Sequence, residues 1–149
     1  MFLFRSPSAR QLNLALLVLR VIVGAVFIAH GSQKLFTYGF AGVTGAFGQM
    51  GVPFPGVIGP FVALLEFFGG MALVIGLLTR LAAIGLACDM LGAILLVHFK
   101  GGFFLPTGYE FALTLLGSNI ALALAGAGQL SVDAAISSRG SPSNPAGRA

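Results

Sequence analysis

Charge is scarce in this sequence. Only 8% of its 149 residues are Asp, Glu, Lys or Arg, against about 25% in an ordinary soluble domain, while 57% are hydrophobic. That balance excludes a conventional water-soluble fold. The formal charge of +4 does not indicate nucleic acid, because a nucleic-acid binder clusters its Lys and Arg on one solvated face. Here Arg5, Arg10, Arg80, Arg139 and Arg148 lie outside or between apolar runs, which is an orientation signal and not a footprint. Cysteine is also nearly absent. Cys88 stands alone, so there is no internal disulfide, no dithiol pair and no iron–sulfur or zinc framework. It reads as a small apolar helix residue. With no cofactor motif of its own, the chain must draw any redox chemistry from a quinone, a bound cofactor or another subunit.

What is present is a series of apolar runs, each near the length of about 20 residues that crosses a bilayer. They divide the chain into a basic lead at 1–11, a membrane domain at 12–136, and a tail at 137–149. The tail is rich in Ser, Gly, Pro and Asn and is expected to be disordered. The lead is not a signal peptide, since the run after it is long and carries Arg20. Helices are expected at about 12–36, 57–78, 81–98 and 109–127. Residues 38–56 read as a Gly/Pro/Phe-rich connection, with only a faint amphipathic signal over 41–50. Thr79 and Arg80 form a short turn, with Thr79 as N-cap of the third helix, so helices two and three make an antiparallel hairpin. Thr107 and Glu110 have the spacing of a capping box that opens the fourth helix. Residues 129–136 read as one surface turn capped by Ser131. Four crossings place Arg5, Arg10, Arg80, Arg139 and Arg148 on one side and Lys34 and Lys100 on the other, so both termini are expected in the cytoplasm. The expected fold is all-α, an antiparallel four-helix bundle integral to the membrane.

Each run carries one polar residue well inside it that calls for explanation: Arg20, Glu66, Asp89 and Asn119. A charge at the position of Glu66 costs about 2.5–3.5 kcal/mol on insertion scales, so it needs a partner or a task. Arg20, Gly24, Phe27, Gly31 and Lys34 share one helical stripe, with His30 at its margin. Helix direction puts Arg20 and Asp89 about 12 Å from the cytoplasmic edge and Glu66 about 14 Å from the other edge. The expectation is that the three meet, with the Arg20 fork held by two carboxylates. They then either lock helix register or mark a substrate or proton path. A second group, His30, Lys34, His98, Lys100 and Glu110, is expected around the far mouth. It suits an anion or a proton relay to a quinone, or else interfacial anchoring by snorkelling lysines. Two histidines are too few for a metal site.

The runs LRVIVGAVFIAHGSQKLF (19–36), EFFGGMALVIGLLTR (66–80), VHFKGGFF (97–104), GYEFAL (108–113) and GAGQLSVD (126–133) together resemble the DoxX family over residues 12–136. The resemblance implies a small four-helix protein of the bacterial inner membrane. It also implies oxidoreductase company, because the family is named for a subunit of a thiosulfate:quinone oxidoreductase and another member joins a membrane complex against oxidative stress. The leading reading is a quinone-linked oxidoreductase component. Glu66 and His30 handle protons and Arg20 fixes the Glu66 charge. Lys34 or His98 hydrogen-bonds a quinone carbonyl, with Asp89 and Asn119 completing the binding region. The expected partners are the bilayer, a soluble or membrane redox subunit, and a second copy of the chain. Two other classes remain: a structural membrane anchor for a soluble enzyme, and a small-solute transporter that lacks the usual broken-helix repeat pair.

Overall fold

The computed structural model describes residues 6–139. The arginines at 5 and 148 and the tail from 140 onward lie outside the described residues. Among the described residues the regular structure is entirely helical. Helix α1, Ala9–Ser32, opens with a reciprocal cap: Gln11 N–H donates to Ser8 Oγ and Ser8 N–H donates to Gln11 Oε1, which satisfies two otherwise orphan donors.

The helical path does not stop near residue 36. It passes through a π-helical turn, Gln33–Tyr38, and bends at Gly39, whose φ is +64°, into α2, Gly39–Gln49. The stretch read as an irregular connection is therefore mostly helix. Its glycines lower intrinsic helix propensity, but Val43 is buried to 2% exposure against Gly59, and that tertiary burial decides the local structure. Helix α3 is Pro55–Ile75, with proline at its first position, where its missing N–H costs nothing. Helix α4, Thr79–Ala93, runs into a second π-helical turn, Ile94–His98, and a 3₁₀ turn, Phe99–Gly101. Helix α5 is Glu110–Ala125 and α6 is Val132–Arg139, so residues 137–139 of the expected tail are helical.

Three helical stretches, Ala9–Gln49, Pro55–Ile75 and Thr79–Gly101, are long and apolar enough to cross a bilayer, and α5 is a shorter apolar helix. The 21 residues of α3 span about 31 Å at 1.5 Å per residue, close to the hydrocarbon thickness of about 30 Å. Large apolar side chains such as Phe61, Phe68 and Leu124 point outward, as expected of helices whose surroundings are lipid.

Helices α1 and α3 are antiparallel and meet backbone to backbone. A Cβ on Gly24 would lie 2.6 Å from Gly70 O, and one on Gly70 would lie 2.7 Å from Gly24 O. Small residues of this kind let membrane helices approach closely. Phe27, Leu73, Leu86, Ile94, Leu115 and Leu122 form the centre of the core between α1, α3, α4 and α5. On α4 the deeply buried positions are Thr79, Ala83, Leu86 and Met90.

The turn from α3 to α4 is closed from outside. Leu77 N–H donates to Ala72 O and Gly76 N–H to Leu73 O, the Schellman pattern, with Gly76 left-handed as that pattern prefers. Leu78 is also left-handed. Thr79 is the first residue of α4 and not its cap. The cap is Asp133 of α6, whose carboxylate accepts from Leu78 N–H at 2.7 Å and Thr79 N–H at 2.9 Å. The capping box expected at Thr107 and Glu110 does not form either. Glu110 Oε1 accepts from Leu105 N–H at 2.8 Å instead, which ties down the connection before α5.

Two outcomes follow from this packing. Gly70→Leu is expected to lower the thermal midpoint in mild detergent, with overpacking costing about 1–3 kcal/mol or more. Asp133→Ala is expected to cost about 1–2 kcal/mol through loss of the cap, whereas Ser137→Ala on the same exposed helix should stay within about 0.5 kcal/mol of the parent.

Candidate functional site

The register that seats Gly24 on Gly70 also seats Gly31 on the backbone of Phe67. One turn further, Lys34 then faces Glu66. Lys34 Nζ lies 2.5 Å from Glu66 Oε2, and the two side chains are 19% and 5% exposed. Lys34 belongs to the π-helical turn that follows α1. Such turns carry an extra residue in the i→i+5 ladder and are common at functional sites. From α4, Leu86 packs on Gly69 of α3, and one turn further along each antiparallel helix Asp89 comes alongside Glu66. Asp89 Oδ2 is buried and has no hydrogen-bond partner. Three helical stretches thus each contribute one ionisable group to a single cluster. Glu66 is the twelfth of the 21 residues of α3, so the cluster lies near the middle of that span.

This differs from the expected constellation in its cation. Arg20 is buried to 2% exposure, but its Nη1 donates to Leu73 O at 3.1 Å and Val74 O at 2.7 Å, and its Nη2 donates to Leu130 O. It does not hold Glu66. The antiparallel register places Arg20 at the C-terminal end of α3, where a cation complements the exposed carbonyls. Glu66 lies seven residues, about 10 Å, earlier along that helix. Lys34 takes the place assigned to Arg20, and Arg20 instead joins α3 to the segment leading into α6.

The expected mouth cluster is not assembled. Lys34 sits with Glu66 in the interior. His30 is exposed and rests on Phe111 of α5 with ring centroids 5.8 Å apart, beside a shallow depression of about 240 Å³ shared with Ala29 and Gln33. His98 Nδ1 lies 3.4 Å from Thr107 O, Lys100 is exposed, and Glu110 is engaged with Leu105. Residues close in sequence to one end are dispersed by the π-helical and 3₁₀ turns. Asn119 is fully buried, yet its Nδ2 donates to Leu115 O of its own helix and its Oδ1 is unpartnered. It packs in the core and does not join Glu66. Lys34 was grouped with the mouth although its stripe with Arg20, Gly24, Phe27 and Gly31 already turned it toward the interior. Val43 and Phe47, one turn apart, are the signal that the helical path continues past 36. Asp133 was read only within its own helix.

Chemically, the site offers one ammonium and two carboxyl groups shielded from water. Lys34 makes one hydrogen bond among the described residues, to Glu66, and an ammonium has three donors. The cluster can bind an acceptor, hold a proton, or do both.

A helical membrane protein with ionisable groups gathered inside its helices is the class that this fold and site define. Within that class the DoxX profile matches residues 15–99, more than half of the chain, and the profile described as "TQO small subunit DoxD" matches 58–145. The chain belongs to the DoxX family. It is 34% identical over 124 residues to "Putative oxidoreductase CatD" of Bacillus subtilis, covering 83% of this chain and 88% of that one. It is 34% identical over 136 residues to "Inner membrane protein YqjF" of Escherichia coli, covering 81% and 91%. An uncharacterised membrane protein of Mycobacterium tuberculosis is 32% identical over 136 residues, covering 84% and 83%. No solved structure matches the chain.

The separation of Arg20 from Glu66 is testable. Substitutions more than about 7–10 Å apart without shared partners add within about 0.5 kcal/mol. Arg20→Met combined with Glu66→Gln is therefore expected to lower stability by the sum of the two single effects, measured by thermal unfolding in one detergent.

Proposed function

We propose that the chain is the membrane-embedded component of a quinone-linked oxidoreductase, and that it crosses the bacterial inner membrane four times with both termini in the cytoplasm. The observation that carries this reading is the pair of half-buried Lys34 and buried Glu66 with the unpartnered Asp89 oxygen on the neighbouring helix. Ionisable groups at such depth persist where they serve a substrate or proton path. The family and the relatives named as an oxidoreductase and an inner membrane protein support the same reading.

Topology follows from charge and length. Arg10 in the first turn of α1, Arg80 in the first turn of α4 and Arg139 at the end of α6 lie toward one end, which the positive-inside rule assigns to the cytoplasm. Lys100 lies toward the other, and Lys34 drops out of the loop count because it is internal. The fourth crossing is α5. Its 16 residues span about 24 Å, and Phe103, Phe104 and Tyr109 pack edge to face or stack just before it, as an interfacial aromatic belt does.

The residues at the cluster suit a quinone headgroup. Lys34 is the member with N–H groups beyond the one given to Glu66, and its partial exposure lets an acceptor from the lipid phase approach it. A bound quinone supplies a carrier of two electrons and two protons. Lys34 would hold a carbonyl oxygen by a charge-assisted hydrogen bond, Glu66 fixes the direction of that ammonium, and the Asp89 carboxyl keeps a proton site within the same cluster. The electrons come from a separate redox partner subunit, since the single cysteine Cys88 provides neither a dithiol nor an iron–sulfur framework.

Quinone content of the protein purified in mild detergent tests this reading. Near-stoichiometric quinone is expected in the parent and at least about tenfold less in Lys34→Met, the effect of losing one charged hydrogen bond of about 1.5–3 kcal/mol. Protein free of quinone in both forms would overturn the assignment.

A further inference from the structure

We infer that Glu66 and Asp89 share one proton beside the Lys34 ammonium, so that the bundle contains a buried proton-binding site whose charge sums to zero. The inference stands whether or not a quinone binds.

The argument is geometric. An ionised carboxylate accepts hydrogen bonds and donates none. Two carboxyl groups that face each other across α3 and α4, as Glu66 and Asp89 do one turn beyond the contact of Gly69 with Leu86, can therefore bond each other only through a proton between them. One ammonium compensates one carboxylate, and Lys34 already holds Glu66 at 2.5 Å. Nothing compensates the second. Arg20, the other buried cation, spends its guanidinium on Leu73, Val74 and Leu130 carbonyls. Helix α5 carries no ionisable residue after Glu110, which is held by Leu105 N–H, and α2 carries none. Along the same stretch as Asp89, Arg80 donates to Leu124 O in the first turn of α4, Cys88 and Lys100 are exposed, and His98 faces Thr107 O. A second uncompensated carboxylate within a bilayer span is costly, and a bound proton removes that charge. It also gives the buried and otherwise orphaned Asp89 Oδ2 a chemical role as one end of the shared-proton bond. The proton exchanges by way of Lys34, which is 19% exposed where Glu66 is 5%.

Infrared spectroscopy of the purified protein reads this directly, because the chain has only four acidic side chains, Glu66, Asp89, Glu110 and Asp133. Glu110 and Asp133 lie outside the cluster, each accepting backbone N–H bonds elsewhere. Near neutral pH the parent protein is expected to show a protonated-carboxyl stretch that shifts down in deuterium oxide. That band should disappear or move in Asp89→Asn and in Glu66→Gln, and persist in Asp133→Asn and Glu110→Gln. No such band in the parent would overturn the proposal without any variant having to fold. A band insensitive to both Glu66→Gln and Asp89→Asn would overturn it as well. Protein that keeps the band but lacks quinone would leave this site standing and remove only the quinone reading.

Discussion

The close approach of α1 and α3 is the constraint on which the rest of the molecule depends. Gly24 and Gly70 present backbone to backbone, each where a methyl group would strike the other's carbonyl oxygen. Together with Gly31, where a Cβ would strike Phe67 N, that contact fixes the axial register of two long helices. Everything polar in the interior inherits its place from it. Upward along α1 the register delivers Lys34 to Glu66. Downward it delivers Arg20 to the last carbonyls of α3.

The two cations of one helix therefore do different work. Arg20 donates to the Leu73 and Val74 carbonyls at the end of α3 and holds Leu130 as well. Asp133 completes the arrangement by capping the first amides of α4, and its own N–H donates to Gly76 O. The residues before α6 thus bind three helices at one end, with Gln129 N–H on Asn13 Oδ1 as a fourth tie. In this clasp both Nη groups of Arg20 are given to backbone carbonyls, and its Nε is buried without a partner. Lys34, by contrast, retains donors and partial exposure in the middle of the assembly. A rigid closed end and a responsive centre are what a membrane component needs if its interior is to take up a proton or an acceptor without the helices parting.

Much of this was legible in the sequence. The apolar runs, the all-helical class and the inward stripe of Arg20, Gly24, Phe27 and Gly31 follow from hydropathy and the 3.6 period, and these residues are buried. Glu66 was identifiable as the pivotal polar residue by its depth alone. Its partner was not. Assigning Arg20 to it required equal depths on ideal helices, whereas the actual register is set by glycine contacts between distant parts of the chain. The π-helical turns at 33–38 and 94–98 also break the 3.6 period on which face assignments rest, so Lys34 and His98 were grouped at a mouth that does not assemble. The role of Asp133 was hidden for another reason: a cap supplied from another helix leaves no local spacing to read.

The measurement that tests the central claim most directly is a double-mutant cycle on Lys34 and Glu66, read as unfolding free energy in one mild detergent. If the pair is the buried partnership described here, Lys34→Met and Glu66→Gln should each cost about 3–5 kcal/mol, since each strands the other group. The double variant should then lose about 1–3 kcal/mol less than the sum of the two. Strictly additive losses would mean that the two residues do not meet, and the register of α1 on α3, with the site built on it, would have to be abandoned.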